Sequence, residues 1–163
     1  MNKIKYLLMA AVALLAVACE ESNADYRDVV YITGTQQKNT IRKGFEGNDC
    51  VELSLTCTAK VTEEIKGTFE AAPELLTAYN EANNADYVLP PTNAYSIEDA
   101  QVAIRPGHFV STVAKLMIAD PTQFEEGKNY CLPVRVKSDG NLLEACSTAY
   151  IVFVPIITTE VAD

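Results

Sequence analysis

Among the residue types in this chain that can do chemistry, Cys19 has the most defined setting. Lys3 and Lys5 open the sequence, Tyr6 to Val17 is apolar, and Leu15-Ala16-Val17-Ala18 leads directly into the cysteine. A basic start, an apolar run and small residues before a cut are the parts of a secretory signal peptide. A thiol placed immediately after that cut is an acceptor for a diacylglycerol thioether. Cleavage before Cys19 then frees an amine for a further acyl chain such as palmitate. The apolar run falls short of the ~20 residues that a membrane-spanning helix needs. Residues 1–18 are therefore expected to be removed and Cys19 to become the anchor. Each buried methylene contributes ~0.8 kcal/mol and stable anchoring takes at least two chains, a number that a fully acylated terminus reaches.

No other cluster reads as a reaction centre. Paired carboxylates serve glycoside hydrolysis when they face each other about 5–9.5 Å apart. The pairs here, Glu63-Glu64, Glu98-Asp99 and Glu125-Glu126, sit at expected turns or strand ends. Neighbours on a strand point to opposite faces, so these read as solvated surface. His108 is the single histidine and follows the turn Pro106-Gly107, with no partner for a triad. Ser22 and Ser111 lack a glycine-flanked elbow. Asp139-Gly140-Asn141 offers one acid, not the alternating ligands of a calcium loop, and reads as a hairpin turn. A zinc site has no CxxC to start from. No metal, cofactor or enzymatic activity is expected.

Composition narrows the partners. Loss of residues 1–18 takes two lysines from 13 basic residues and none of the 22 acids, leaving 145 residues with a net charge of −11. That is the wrong sign for nucleic acid and for docking on anionic headgroups. The length suits one domain with a real core. With Cys19 acylated, Cys50, Cys57, Cys131 and Cys146 remain. An exported chain can form disulfides, and four cysteines allow three pairings. Cys50 and Cys57 are an odd number apart in one strand and point to opposite faces. Cys131 and Cys146 flank the expected hairpin and are the plausible pair.

Such residues need elements to position them. After a polar tether over 19–27, Val29 to Ile32 is a strand, and 39–45 a weaker second one. Cys50 to Lys60 alternates cleanly, with Val51, Leu53, Leu55 and Cys57 on one face, as in an antiparallel sheet covering a core. Pro73 suits the first turn of a helix reaching Asn83-Asn84, with Leu75, Leu76, Tyr79 and Ala82 as its apolar stripe. Three turns are marginal alone, so the helix must dock on a sheet. The segment 87–95, with Pro90-Pro91, is a loop. Strands resume over 101–105, 109–118, 130–137 and 145–154; Pro133 points to an edge or a bulge. Some seven short strands and one helix make an immunoglobulin-like antiparallel β-sandwich over 28–157, with a tail at 158–163. Tyr79, Tyr87 and Tyr95 flank the helix and the proline loop. Exposed, they would be stacking platforms for sugar rings; their commoner use is to pack a helix onto a sheet, and the absence of Trp weighs further against a platform.

Two resemblances add to this reading. Glu20-Glu21-Ser22 after Cys19 resembles the acidic export signal of Bacteroidetes surface lipoproteins, which implies display on the outer face of the outer membrane, with its periplasmic face as the alternative. The run Pro73-Glu74-Leu75-Leu76-Thr77-Ala78-Tyr79-Asn80-Glu81-Ala82-Asn83 resembles the helix of the DUF1735 family (BT_3987-like N-terminal domain). It is followed in family order by Tyr87-Val88-Leu89-Pro90, Asn93-Ala94-Tyr95-Ser96-Ile97, Val102-Ala103-Ile104-Arg105-Pro106-Gly107, Tyr130-Cys131-Leu132-Pro133-Val134-Arg135-Val136 and Ser147-Thr148-Ala149-Tyr150-Ile151-Val152. The resemblance implies an Ig-like lipoprotein domain found beside glycan-uptake genes, with no catalytic residues to carry over. Ala72 stands where the family tends to have a polar helix cap, a loss of ~1 kcal/mol. Many members continue into a glycosidase-like or lectin-like domain, and this sequence ends after Ile157-Thr158-Thr159. The expected role is a non-enzymatic surface module that binds a glycan or a protein of a polysaccharide-uptake system, or acts as a spacer. The alternatives are a structural or adhesive subunit of a surface assembly, or the N-terminal module of a truncated glycosidase-type protein.

The anchor is directly testable. Replacing Cys19→Ser is expected to abolish incorporation of labelled palmitate and to release the chain from the detergent phase of a two-phase partition. Retained label would show that Cys19 is not the acceptor.

Overall fold

In a computed structural model, residues 28–35, 40–45, 49–118, 121–125 and 127–155 are described. The expected signal peptide, Cys19, the tether through residue 27 and the tail from 158 lie outside them. The described chain is eleven strands: β1 (Val29–Ile32), β2 (Thr40–Phe45), β3 (Asp49–Leu53), β4 (Leu55–Cys57), β5 (Ile65–Ala71), β6 (Tyr95–Glu98), β7 (Gln101–Ile104), β8 (Ala114–Ile118), β9 (Tyr130–Ser138), β10 (Asn141–Leu142) and β11 (Thr148–Pro155). Among the described residues the one α-helix, α1 (Leu76–Asn83), follows a 3-10 turn at Pro73–Leu75.

The strands form a sandwich. One layer is a five-stranded sheet in the order β2-β11-β9-β5-β7. The other is two short sheets, β10-β1-β4 and β3-β8-β6, that meet where only Ser54 separates β3 from β4. The Ser54 carbonyl leaves the β8 ladder and accepts the Thr33 N–H at 2.9 Å. The expected alternation survives this junction: Val51, Leu53, Leu55 and Cys57 are all buried. Between the layers lie Ile32, Leu53, Leu55, Leu116 and Ile118 from one side and Ile104, Leu132, Val134, Ile151 and Phe153 from the other. Pairing is antiparallel except for β1 with β10 and β2 with β11, which run parallel.

Several elements differ from expectation, each for a physical reason. Tyr95–Glu98 is a strand, β6, paired with β8, where the sequence reads as the end of a loop. The strand expected from Phe109 starts only at Ala114. Buried Ser111 and buried Ala114 are three apart, which breaks a period of two. The stretch before it laces the layers together at one edge. Ser111 N–H donates to the Leu55 carbonyl at 2.9 Å, Leu55 N–H donates to Ser111 Oγ at 2.8 Å, and Thr112 N–H donates to the Ala103 carbonyl at 3.1 Å.

Pro133 stands in β9, the central strand, and not at an edge. Its carbonyl accepts the Ala72 N–H at 2.8 Å, one residue after β5 ends, so its nitrogen faces the same side. A proline there forfeits only a bond to the Ala72 carbonyl, which already accepts Leu75 N–H at 3.0 Å in the 3-10 turn. Ala72 gives the helix no side-chain cap, as expected. At the far end Asn84 adopts the left-handed conformation, φ 49°, and closes α1.

Asp139-Gly140 is not a hairpin turn. It carries the chain across to the opposite layer, where β10 pairs with β1; a 3-10 turn at Glu144–Cys146 then returns it to β11 beside β9. The crossing passes tightly between layers. A Cβ on Gly140 would stand 2.8 Å from Ile65 Cγ2 and 2.9 Å from Val30 Cγ2, both stiff β-branched side chains. Gly140→Ala is accordingly expected to lower stability by about 1–3 kcal/mol, read as a reduced urea midpoint with an unchanged slope. An unchanged midpoint would show that the crossing relaxes freely.

Candidate functional site

The outer face of the five-stranded sheet has two halves. Over β9 and β11 lies α1. Leu76 packs on Cys131 and Val152, and Tyr79, Tyr87 and Tyr150 close the cluster. The Tyr79 ring stacks on Tyr150 with centroids 3.9 Å apart and lies 6.2 Å from Tyr87, and its hydroxyl meets Thr40 Oγ1 at 2.5 Å. Asn80 Nδ2 donates to the Tyr87 carbonyl at 2.8 Å, tying the loop back to the helix. Tyr79 and Tyr87 are thus brought together as packing. Tyr95 is not with them: it begins β6 in the other layer and packs on the inner core, where burial raises its phenol pKa. Tyr150 was missed at the sequence level, although its signal was present. Ala149 and Ile151 point inward on β11, which sets Tyr150 and Val152 outward.

The cysteine pair does not form. Cys131 and Cys146 are both free thiols, as are Cys50 and Cys57. Cys131 is opposite Val152, whereas Cys146 precedes Thr148, where β11 begins. The four steps from Thr148 to Val152 alone are about 13 Å of strand, beyond the ~7 Å Cα reach of a disulfide. The chain's crossing to β1, in place of a hairpin, is what separates them. Burial pushes the Cys131 thiol up to about 12. Cys146 Sγ instead points at the Thr35 carbonyl, 3.7 Å away.

The other sequence candidates are dispersed. Glu63 and Glu64 are exposed before β5, Glu98 and Asp99 end β6, and Glu125 pairs with Lys128 at 2.7 Å; Glu126 lies outside the described residues. Asp139 Oδ1 accepts Lys66 N–H at 2.7 Å, a turn bond. Among the described residues no three His, Cys, Asp or Glu side chains gather as a metal site. Ser111 Oγ is used within the backbone lacing described above and donates to the Thr112 carbonyl at 2.6 Å.

An ion cluster marks the boundary between the two halves. Arg135 reaches Glu70 through Nε at 2.5 Å and Glu74 through Nη1 at 2.9 Å, and Lys137 holds the second Glu70 oxygen at 2.9 Å. Hydrogen bonds from Lys137 and then Arg135 hold the Glu70 carboxyl below its ordinary pKa.

Beyond that boundary the sheet is bare. Here β5 and β7 set Lys66 opposite Ala103 and Thr68 opposite Gln101. With Thr112 at the side, they line a trough of about 430 Å³ floored by Gly67 and Val102. It adjoins a second hollow of about 220 Å³ that shares Ala103 and Thr112 and adds Arg105, His108 and Val110. No carboxylate lines either hollow. Phe109, 50% exposed, stands in the same segment. This site is not legible in the sequence, because it arises from a cross-strand register between residues some 35 apart.

A family model for an N-terminal domain matches residues 25–142. The chain belongs to the DUF1735 family. No curated protein matches it. Solved structures with the same fold include a candidate carbohydrate-binding protein from Bacteroides ovatus (TM-score 0.66, 17% identity), over 78% of this chain and 37% of that one. A two-domain protein of unknown function from Bacteroides fragilis matches with TM-score 0.63 and 15% identity over 86% and 50%. EndoBT-3987 of Bacteroides thetaiotamicron, solved with a Man5GlcNAc product, matches with TM-score 0.60 and 14% identity over 77% and 30%. This DUF1735 chain therefore spans half or less of those structures, and at such identity the likeness is one of fold.

The thiols of the DUF1735 domain give a prediction. Iodoacetamide at neutral to mildly alkaline pH is expected to modify partly exposed Cys50 and to leave Cys131 untouched until the protein unfolds, as read by mass spectrometry. Because the folded pKa of Cys131 lies above the ordinary value of 9.0, the stability linked to its protonated form is full below pH 9 and is lost as pH rises towards about 12. Rapid native alkylation of Cys131 would contradict the docking of α1.

Proposed function

We propose that this DUF1735 domain is a lipid-anchored, non-enzymatic glycan-binding module of the cell surface, and that it binds in the open trough over β5 and β7. The observation that carries this reading is the division of one sheet face. The helix takes the tyrosines for packing, whereas the other half is left uncovered and lined by an amide, hydroxyls and long cations. Such groups give directional hydrogen bonds to sugar hydroxyls, and exposed Val110, which lines the adjoining hollow, supplies an apolar surface for a ring face. The candidate carbohydrate-binding protein of the same fold and the glycan product held by EndoBT-3987 are in keeping with it. The scattered carboxylates favour binding over hydrolysis.

A second reading, a subunit that docks on a protein partner, draws on the exposed Phe109, Val110 and Val113, at 50%, 43% and 38%, in one short segment.

Affinity electrophoresis of the purified lipoprotein, in mild detergent, through gels containing plant, host-mucin and microbial polysaccharides separates these readings. At least one polysaccharide is expected to retard it, with affinity falling roughly tenfold in Gln101→Ala, about the worth of one well-placed hydrogen bond, and unchanged in Tyr95→Phe. No retardation by any polysaccharide would move the assignment to the protein-docking reading.

A further inference from the structure

Resting on the glycan reading, we infer that the trough takes an anionic polysaccharide, one bearing a carboxylate or a sulfate on its repeating unit. The mature chain has twice as many acids as bases, yet the charged and ionisable side chains lining the two joined hollows are Lys66, Arg105 and His108. All are donors. Arg105 forms no ion pair among the described residues, so its guanidinium keeps the fork that matches a carboxylate or sulfate in two hydrogen bonds.

Lys66 is the one cation already engaged, with Glu64 at 3.5 Å. That pair is largely exposed, at 71% and 46%, and pairs of this kind contribute little, so an incoming anion can displace Glu64. Thr68, Gln101 and Thr112 remain for the uncharged hydroxyls of the chain.

The overall charge does not oppose this. Two carboxylates stand close to Lys66, Glu64 on its ammonium and Asp139 on its backbone N–H, but neither lines the hollows, and fields from acids more than about 8 Å away are largely screened at physiological ionic strength. Nor does the site suit nucleic acid, whose binding rests on some six to ten phosphate contacts. Two or three donors match a polymer with one charge per repeat. The remaining surface, being acidic, confines such a polymer to this face.

The experiment uses matched pairs: polygalacturonate against its carboxyl-reduced neutral form, and dextran sulfate against dextran, again by affinity electrophoresis of the purified lipoprotein. The charged member of at least one pair is expected to retard the protein at least fivefold more strongly than its neutral partner, and which pair does so distinguishes carboxylate from sulfate. Raising NaCl from about 0.05 to about 0.5 M is expected to abolish most of the difference, as is the double variant Lys66→Gln/Arg105→Gln, whose melting curve serves as the folding control. Equal retardation by neutral partners would overturn the inference while leaving the glycan reading intact. Charged-polymer binding that the double variant does not weaken would also overturn it. Retardation by none of these polymers or the wider panel would remove both.

Discussion

The burial of β9 on both faces is the constraint on which the other features rest. Leu132, Val134 and Val136 enter the core between the layers, and Cys131 and Pro133 are covered on the outside. A strand buried on two sides must have neighbours on both edges and a cover over its outer surface. β5 and β11 supply the edges, and α1, with Leu76 and its stacked tyrosines, supplies the cover. The helix is only eight residues long, so it shields β9 and β11 and no further. The bare half over β5 and β7 follows from that length.

The same constraint accounts for what was legible in the sequence. Where one face is wet, hydrophobicity alternates, and β3, β4 and β7 could be read from it, whereas β1 showed through its β-branched and aromatic run. The helix announced itself through Pro73, its apolar stripe and Asn84, although Ala82 is exposed and adds nothing to the docked face. In β9 the strand was read, while Pro133 was placed at an edge or bulge and instead lies buried in the central strand. Strand identity was local information for most strands, though β5, β6 and β10 were not read as such; partner choice was not local. Asp139-Gly140 has the composition of a hairpin, and nothing near it reveals that β1, more than a hundred residues earlier, is where the chain goes next.

The candidate site was hidden for a related reason. Tyr79, Tyr87 and Tyr95 drew notice as large aromatics close in sequence, and residue type alone cannot separate a ring used as mortar from a ring offered to a ligand. In the fold Tyr79 stacks on Tyr150, a packing contact under the helix. Lys66, Thr68, Gln101 and Thr112 are unremarkable in sequence and become a set only through the β5–β7 register and the lacing of Thr112 onto Ala103.

The two parallel pairings have a kinetic meaning. Val29 takes Asn141 as a partner and Thr40 takes Tyr150, so both of the first strands wait for residues at the other end of the chain. Contacts of such long sequence separation carry loop-closure entropy before they return any energy, and folding dominated by them is slow. Neither of the first two strands can be completed while the chain is still being made. The domain closes late, as a unit, and a chain interrupted before β11 loses structure at its beginning as well as at its end.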